Sequence, residues 1–283
     1  MVIKPVVKGL LTFIPGVSRI LPKGRTGGTN RASYCLEVWL KHLALLRASG
    51  MRAIPRTLAE LGPGDSIGVG LAALLSGVDR YYALDVVRFS NTVANLAIFD
   101  ELAALSKARD PSVSDERIAR IRGAIASPGS ERDGVTIEYM VPWSDIRVLE
   151  PESIDVIISH AVLEHVVDLE STYRALALWL KPGGMMSHQM DFTSHRIAEK
   201  WNGYRAYPEF LWKAIVGRRT YLINRQPCSV HLDLLEKNGF EIVSTKRVVR
   251  TDGIRRSQLA RRWRSISDED LACSDLTVQA RKR

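Results

Sequence analysis

Cysteine is scarce in this chain: Cys35, Cys228 and Cys273 are the only three in 283 residues, and they are unclustered and odd in number. That excludes a disulfide framework and a cysteine-based zinc module, and makes a reducing, cytoplasmic setting the expectation. No apolar run reaches the ~18 residues that a membrane-spanning helix needs. Aromatic residues make up only 7% of the chain. Within the basic stretch Arg255, Arg256, Arg261, Arg262, Arg264 only Trp263 interrupts the arginines, so no base-stacking strip is indicated. Internal repeats and low-complexity tracts are absent as well. Charge is unbalanced instead, at a formal +9. Such an excess suits anionic partners, whether nucleic acid, a nucleotide-linked substrate or an anionic membrane, or forms a solvated basic face.

What is present is ordered. Thr57 to Leu61 is short, apolar and follows Pro55, so it reads as a buried strand. Gly62 and Gly64 then allow a tight turn and a close backbone approach to a ligand. From Ile67 the apolar residues Ile67, Leu71, Leu74 and Leu75 recur at helical spacing, so the turn opens a helix. Gly77 closes that helix, and Arg80 to Asp85 is a second strand ending in an acid. A carboxylate ~20 residues beyond such glycines is where a ribose diol is held. Pro63 sits between the glycines and Glu60 just before them, so a pyrophosphate would meet negative charge. A cationic, amine-bearing ligand suits Glu60 better, and a nicotinamide dinucleotide is disfavoured.

Glu60-Leu61-Gly62-Pro63-Gly64, with Asp85 downstream, resembles the cofactor site of class I S-adenosylmethionine-dependent methyltransferases. Two later blocks agree in order: Ser153 to Val166 resembles the family's fourth strand with its helix, and Trp179 to Met186 the turn before its fifth strand. The resemblance spans residues 55 to 281. It implies an α/β, Rossmann-like, seven-stranded, mostly parallel sheet with a closing antiparallel hairpin and helices on both faces. It also implies S-adenosylmethionine as cofactor and a small-molecule acceptor, a sugar or secondary metabolite, methylated on oxygen or nitrogen. Residues 1–54 are expected to form an N-terminal lid and a helix (Tyr34 to Leu46) packing on the core. Residues 55–283 would be the methyltransferase domain, with an aromatic, arginine-rich insertion at 192–227 over the acceptor. The apolar segment Val6 to Gly16 is expected to pack on the domain, with peripheral membrane contact the alternative. Nucleic-acid methylation, supported by net charge alone, and a non-catalytic binding protein are the other readings.

In an open α/β sheet the ligand lies at the carboxyl ends of the strands. For the cofactor the resemblance nominates Glu60, Gly62, Pro63, Gly64, Asp85 and Ser159. It adds Trp143 and Asp145 after the third strand, to stack on adenine and accept from its amino group. For the general base the strand ends offer His188 first, then Asp191 and His160, with His195 and Tyr204 on the following insertion within range; a neutral imidazole suits the task near pH 7. Thr26, Thr29 and Tyr34 are lid candidates. Some members of the family hold a divalent metal where Glu164 and His165 stand, but Ala161 replaces their first acid, so no metal is expected and the pair is assigned to structural support. The turn Ser159-His160-Ala161-Val162 lacks the Asp/Asn-Pro-Pro-aromatic pattern of adenine-amine methylation, and Pro227-Cys228 lies too late for a cytosine-carbon nucleophile.

Overall fold

The computed structural model describes residues 3–15, 27–129, 134–143, 145–219 and 221–283; Thr26 lies outside them. Seven strands form one sheet: β1 (Thr57–Leu61), β2 (Arg80–Leu84), β3 (Thr136–Met140), β4 (Ile154–His160), β5 (Leu180–Asp191), β6 (Phe240–Val249) and β7 (Cys273–Lys282). Their order is β3-β2-β1-β4-β5-β7-β6. The first five run parallel, and β7 lies antiparallel between β5 and β6. The expected sheet and its closing hairpin are both present. The order reverses between β1 and β4, which opens a crevice at their carboxyl ends.

Period-two alternation sends each strand's side chains to two cores. Leu58 on β1, with Val156 and Ile158 on β4, enters one core. There the sheet meets α2 (Ala32–Ala48), α3 (Gly68–Leu75), α4 (Thr92–Arg109) and α5 (Asp115–Ala126). Ala59, Leu61, Ile154 and Ile157 enter the other, beneath α6 (Leu169–Trp179) and α8 (Cys228–Lys237). The strands buried on both faces explain why β1 and β4 read as apolar runs.

The insertion after β5 has a core of its own, built from Ile197, Tyr204, Trp212, Ile215 and Ile223 around α7 (Glu209–Val216). Arg225, 3% exposed, is fixed there by Glu209 at 2.7 Å and lies 4.4 Å over the Trp212 ring. The N-terminal helix α1 (Ile3–Leu11) packs on α7 rather than on the sheet, and its Val6 joins the insertion core. A short helix, α9 (Asp268–Ala272), precedes β7 within the basic segment. Part of the basic charge of this segment and of β7 is paired within the chain. Arg256 bonds Asp268, Arg262 bonds Glu209 and Lys282 bonds Glu152.

Candidate active site

The turn after β1 carries φ of +63° at Gly62 and +78° at Gly64, conformations that favour glycine. At Gly62 a Cβ would meet the Val162 side chain at 2.6 Å, so the glycine also lets the segment after β4 close on the turn. The Gly62 N–H donates to the Leu84 carbonyl at 2.8 Å, tying the turn to the end of β2. From the N-terminal side, Thr29 Oγ1 accepts the Ser66 N–H at 3.3 Å, and Tyr34 meets His160 edge-on at 6.2 Å. Both of these lid candidates therefore border the crevice.

Asp85 stands at the end of β2, 6% exposed, and accepts the N–H groups of Val86 (2.7 Å) and Val87 (3.3 Å). Burial raises its pKa from the ordinary value against these N–H donors and that of Gly64. Its backbone carbonyl accepts the Trp143 N–H at 3.0 Å, which seats Trp143 beside it, edge-on to Trp179. Tyr221 comes in from the insertion, close enough for the charges of Asp85 and Asp65 to raise its pKa further after burial. A glycine turn at the mouth of the switch-point crevice, with a buried carboxylate held by backbone donors, fits a ribose diol and the rest of an adenosyl ligand.

Glu60 lies beneath this turn, 4% exposed, and accepts the Tyr81 hydroxyl at 2.5 Å. Burial pushes its pKa up to about 7. The proton is thus bound more tightly in the folded chain than in the unfolded one. Stability contributed by this group is present below the unfolded value of 4.5 and is lost as pH rises to about 7. Glu60→Gln is expected to flatten that slope by up to about 3 kcal/mol, read by denaturant titration at both ends of the window. An unchanged slope would place the ionisation elsewhere.

Three nominated residues do not sit where their positions in the sequence suggest. His188 is fully buried on the face covered by α6 and α8, with Nδ1 2.8 Å from Ser159 Oγ and Nε2 3.4 Å from Met186 Sδ. Burial pushes its pKa down to about 3. Its imidazole and the Ser159 hydroxyl, also fully buried, are paired with each other inside the core. Strand alternation is the cause: Ser159 and His188 are paired in register and point together into the core. Asp145 caps the short turn 146–148 and binds the Arg147 guanidinium through both oxygens, which holds its carboxyl down at about 2. Its acceptor capacity is taken up by its own loop. His188→Ala is expected to cost roughly 2–3 kcal/mol of stability, by chemical denaturation, while leaving cofactor affinity unchanged.

His160 is half-buried under α2, its Nδ1 3.3 Å from His42 Nε2, and burial pushes its pKa down to about 4. Asp191, at the end of β5, accepts the Thr193 N–H at 2.8 Å and lies 3.6 Å from His195 Nε2. Beside them stands the pair that the sequence assigned to support alone. Glu164, His165 and His195 bring their ligand atoms within 4.8 Å of one another. Glu164 is 2% exposed, and among the described residues neither its carboxylate oxygens nor His165 Nδ1 has a hydrogen-bond partner. Burial raises the Glu164 pKa well above normal and lowers that of His165 to about 4. His195 and Arg196 have φ of +46° and +66°, strained conformations for side-chain-bearing residues. His165 also meets His195 and Tyr221 edge-on, at 5.0 and 6.0 Å. A cavity of about 590 Å³ opens beside His195, lined also by Arg196, Lys200, Trp201 and Arg250. A smaller cavity, lined by Arg56, Asp79 and Lys181, lies at the opposite, amino end of the strands.

A family model described as a methyltransferase domain matches residues 60–187. Residues 60–187 are a class I methyltransferase domain. Its cofactor is S-adenosylmethionine. Two curated relatives, both named ubiquinone biosynthesis O-methyltransferase, align with the chain. The protein from Dinoroseobacter shibae is 28% identical over 182 residues, covering 58% of this chain and 65% of the relative. That from Ruegeria pomeroyi is 26% identical over 185 residues, covering 58% and 66%. The chain thus spans just under two thirds of the length of these relatives. Among solved structures, an S-adenosylmethionine-dependent methyltransferase from Mesorhizobium loti aligns over 84% of this chain and 96% of its own, with 18% identity and a TM-score of 0.45. Phosphoethanolamine N-methyltransferase 2 from Haemonchus contortus aligns over 86% and 52%, with 16% identity and a TM-score of 0.47. In the methyltransferase domain, the matched range contains the glycine turn, Asp85, Glu164 and His165, and ends before His195 and the insertion.

Proposed function

We propose that this protein methylates a hydroxyl oxygen of a small molecule. The observation that carries the reading is a histidine–carboxylate cluster set across one crevice from the glycine turn and Asp85. The names of the two curated relatives support oxygen over nitrogen as the acceptor atom. When bound, S-adenosylmethionine supplies an electrophilic methyl group on a sulfonium. Asp85 would hold the ribose hydroxyls, Gly62, Pro63 and Gly64 would pass beneath the methionyl portion, and Trp143 would flank the adenine. Glu60 would act through the turn, fixing it by way of Tyr81. His195, oriented by Asp191, would take the acceptor proton. His165 and Tyr221 would exclude water between the two halves of the site. Residues 1–54 and the insertion at 192–227 would close over it.

The decisive experiment is calorimetric titration with S-adenosylmethionine and S-adenosylhomocysteine, followed by transfer assays on phenolic and sugar hydroxyls. Micromolar binding and transfer to an oxygen acceptor are expected. A well-folded protein that binds neither ligand would refute the reading. A nucleic-acid acceptor would instead give RNA binding that falls steeply with salt. The internal pairing of Arg256, Arg262 and Lys282 speaks against it.

A second reading of the cluster is favoured by its unpaired atoms: Glu164, His165 and His195 would ligate a divalent cation that orients the acceptor oxygen. Loss of activity on chelation, restored by a divalent cation, would select it over His195 as the base.

A further inference from the structure

The N-terminal helix α1 has two committed faces, and among the described residues only one has a partner. Gly9 allows α1 to cross α7 at backbone contact, since a Cβ there would meet the Ala214 carbonyl oxygen at 2.0 Å. The Thr12 hydroxyl accepts the Arg218 N–H at 2.7 Å and fixes the end of the crossing. Val6 on the same side enters the insertion core. With that face used, Ile3, Val7 and Leu10 recur at helical spacing on the outer side of α1 and are 63%, 47% and 52% exposed, and Ile14, in the turn after the helix, is 51% exposed. Phe13 beside them is 47% exposed, with the Arg218 guanidinium 5.2 Å from its ring. Single exposed apolar residues are ordinary; a run of them along a helix and into the turn that follows is not.

The charge in this part of the sequence has one sign. Lys4 and Lys8, one turn apart, are exposed at its flank. Residues 1–36 contain six cations, Lys4, Lys8, Arg19, Lys23, Arg25 and Arg31, and no Asp or Glu; the first acid is Glu37. An apolar stripe flanked by lysines matches the interface of an anionic phospholipid bilayer. A second protein surface would more commonly meet such lysines with carboxylates on its own side. We infer that α1 docks this protein on an anionic membrane surface, with Leu10 and Ile14 entering the acyl boundary and Lys4 and Lys8 at the headgroups. Because α1 lies on the insertion, docking would hold the insertion, and with it the cavity beside His195, close to the bilayer.

Sedimentation of the full chain with vesicles tests this. The protein is expected to bind vesicles of phosphatidylcholine and phosphatidylglycerol at least about tenfold more tightly than phosphatidylcholine alone, with binding weakened by salt. Leu10→Asp with Ile14→Asp should abolish binding, and Lys4→Gln with Lys8→Gln should weaken it by about an order of magnitude or more. All four positions are exposed, so melting temperatures should be unchanged; Phe13→Asp replaces the first pair if they are not. Absence of binding by the wild type, or equal binding by the stripe variants, would overturn the inference. So would light scattering that shows a dimer which Leu10→Asp with Ile14→Asp makes monomeric, since a second copy would then cover the stripe.

Discussion

Asp85→Ala is expected to weaken S-adenosylmethionine binding by about a hundredfold or more. Two hydrogen bonds from ribose hydroxyls to a buried, ionised carboxylate contribute about 1.5–3 kcal/mol each, and ~2.7 kcal/mol is already a hundredfold. The variant should still fold, because the carboxylate contributes to the turn only through the N–H groups of Val86, Val87 and Gly64. The same burial gives a pH effect. The raised pKa of Asp85 means the free carboxyl keeps its proton to higher pH than usual, so affinity should fall as pH drops through that value. Asp145→Ala is the control, expected to change affinity by less than about threefold because Arg147 occupies both oxygens. Calorimetry on the three proteins checks this. Equal affinities for wild type and Asp85→Ala would remove Asp85 from the cofactor site.

His195→Ala is expected to lower kcat by about a hundredfold to a thousandfold, the range set by loss of a positioned general base, while leaving cofactor affinity unchanged. Asp191→Asn should produce a smaller loss, since the 3.6 Å contact orients the imidazole and does not itself meet the acceptor. Glu164→Gln separates the two readings of the cluster. If His195 acts as a base, Gln retains the shape of a carboxyl whose pKa is already raised by burial, and kcat changes little. If the cluster ligates a cation, Gln removes an anionic ligand, and activity becomes dependent on added metal. Steady-state kinetics with a chelator present decides between them. Full activity in His195→Ala would place the base elsewhere at the mouth, with His160 the next candidate.

Residues close together in the sequence were the ones that could be read from it. The turn Gly62-Pro63-Gly64 between an apolar strand and a helical repeat specifies its own geometry, and Asp85 comes after one helix and one strand. Both are local consequences of glycine's positive φ and of period-two and period-3.6 patterning. The carboxyl-end rule also brought His160, Asp191 and His195 to the mouth of the sheet. The rule did not foresee that the side chains of His188 and Ser159 face the core, because nearness to a strand end does not say which face a side chain takes. Alternation fixes that two residues on, but only the helices covering each face decide which one is core.

The chain by itself determined the sheet, the glycine turn after β1 and the acid that ends β2, since each rests on contacts within a few tens of residues. Only the tertiary structure decided the grouping of Glu164, His165 and His195. Glu164 and His195 are brought together by the return of β5 and by strained backbone at the start of the insertion, and no periodicity records that closure. The outward stripe of α1 was settled in the same way. Its apolar residues are legible in sequence, but which of them face α7 and which face outward depends on the backbone contact at Gly9. A side chain's chemistry is written in the sequence, whereas its surroundings are set by packing between segments far apart along it.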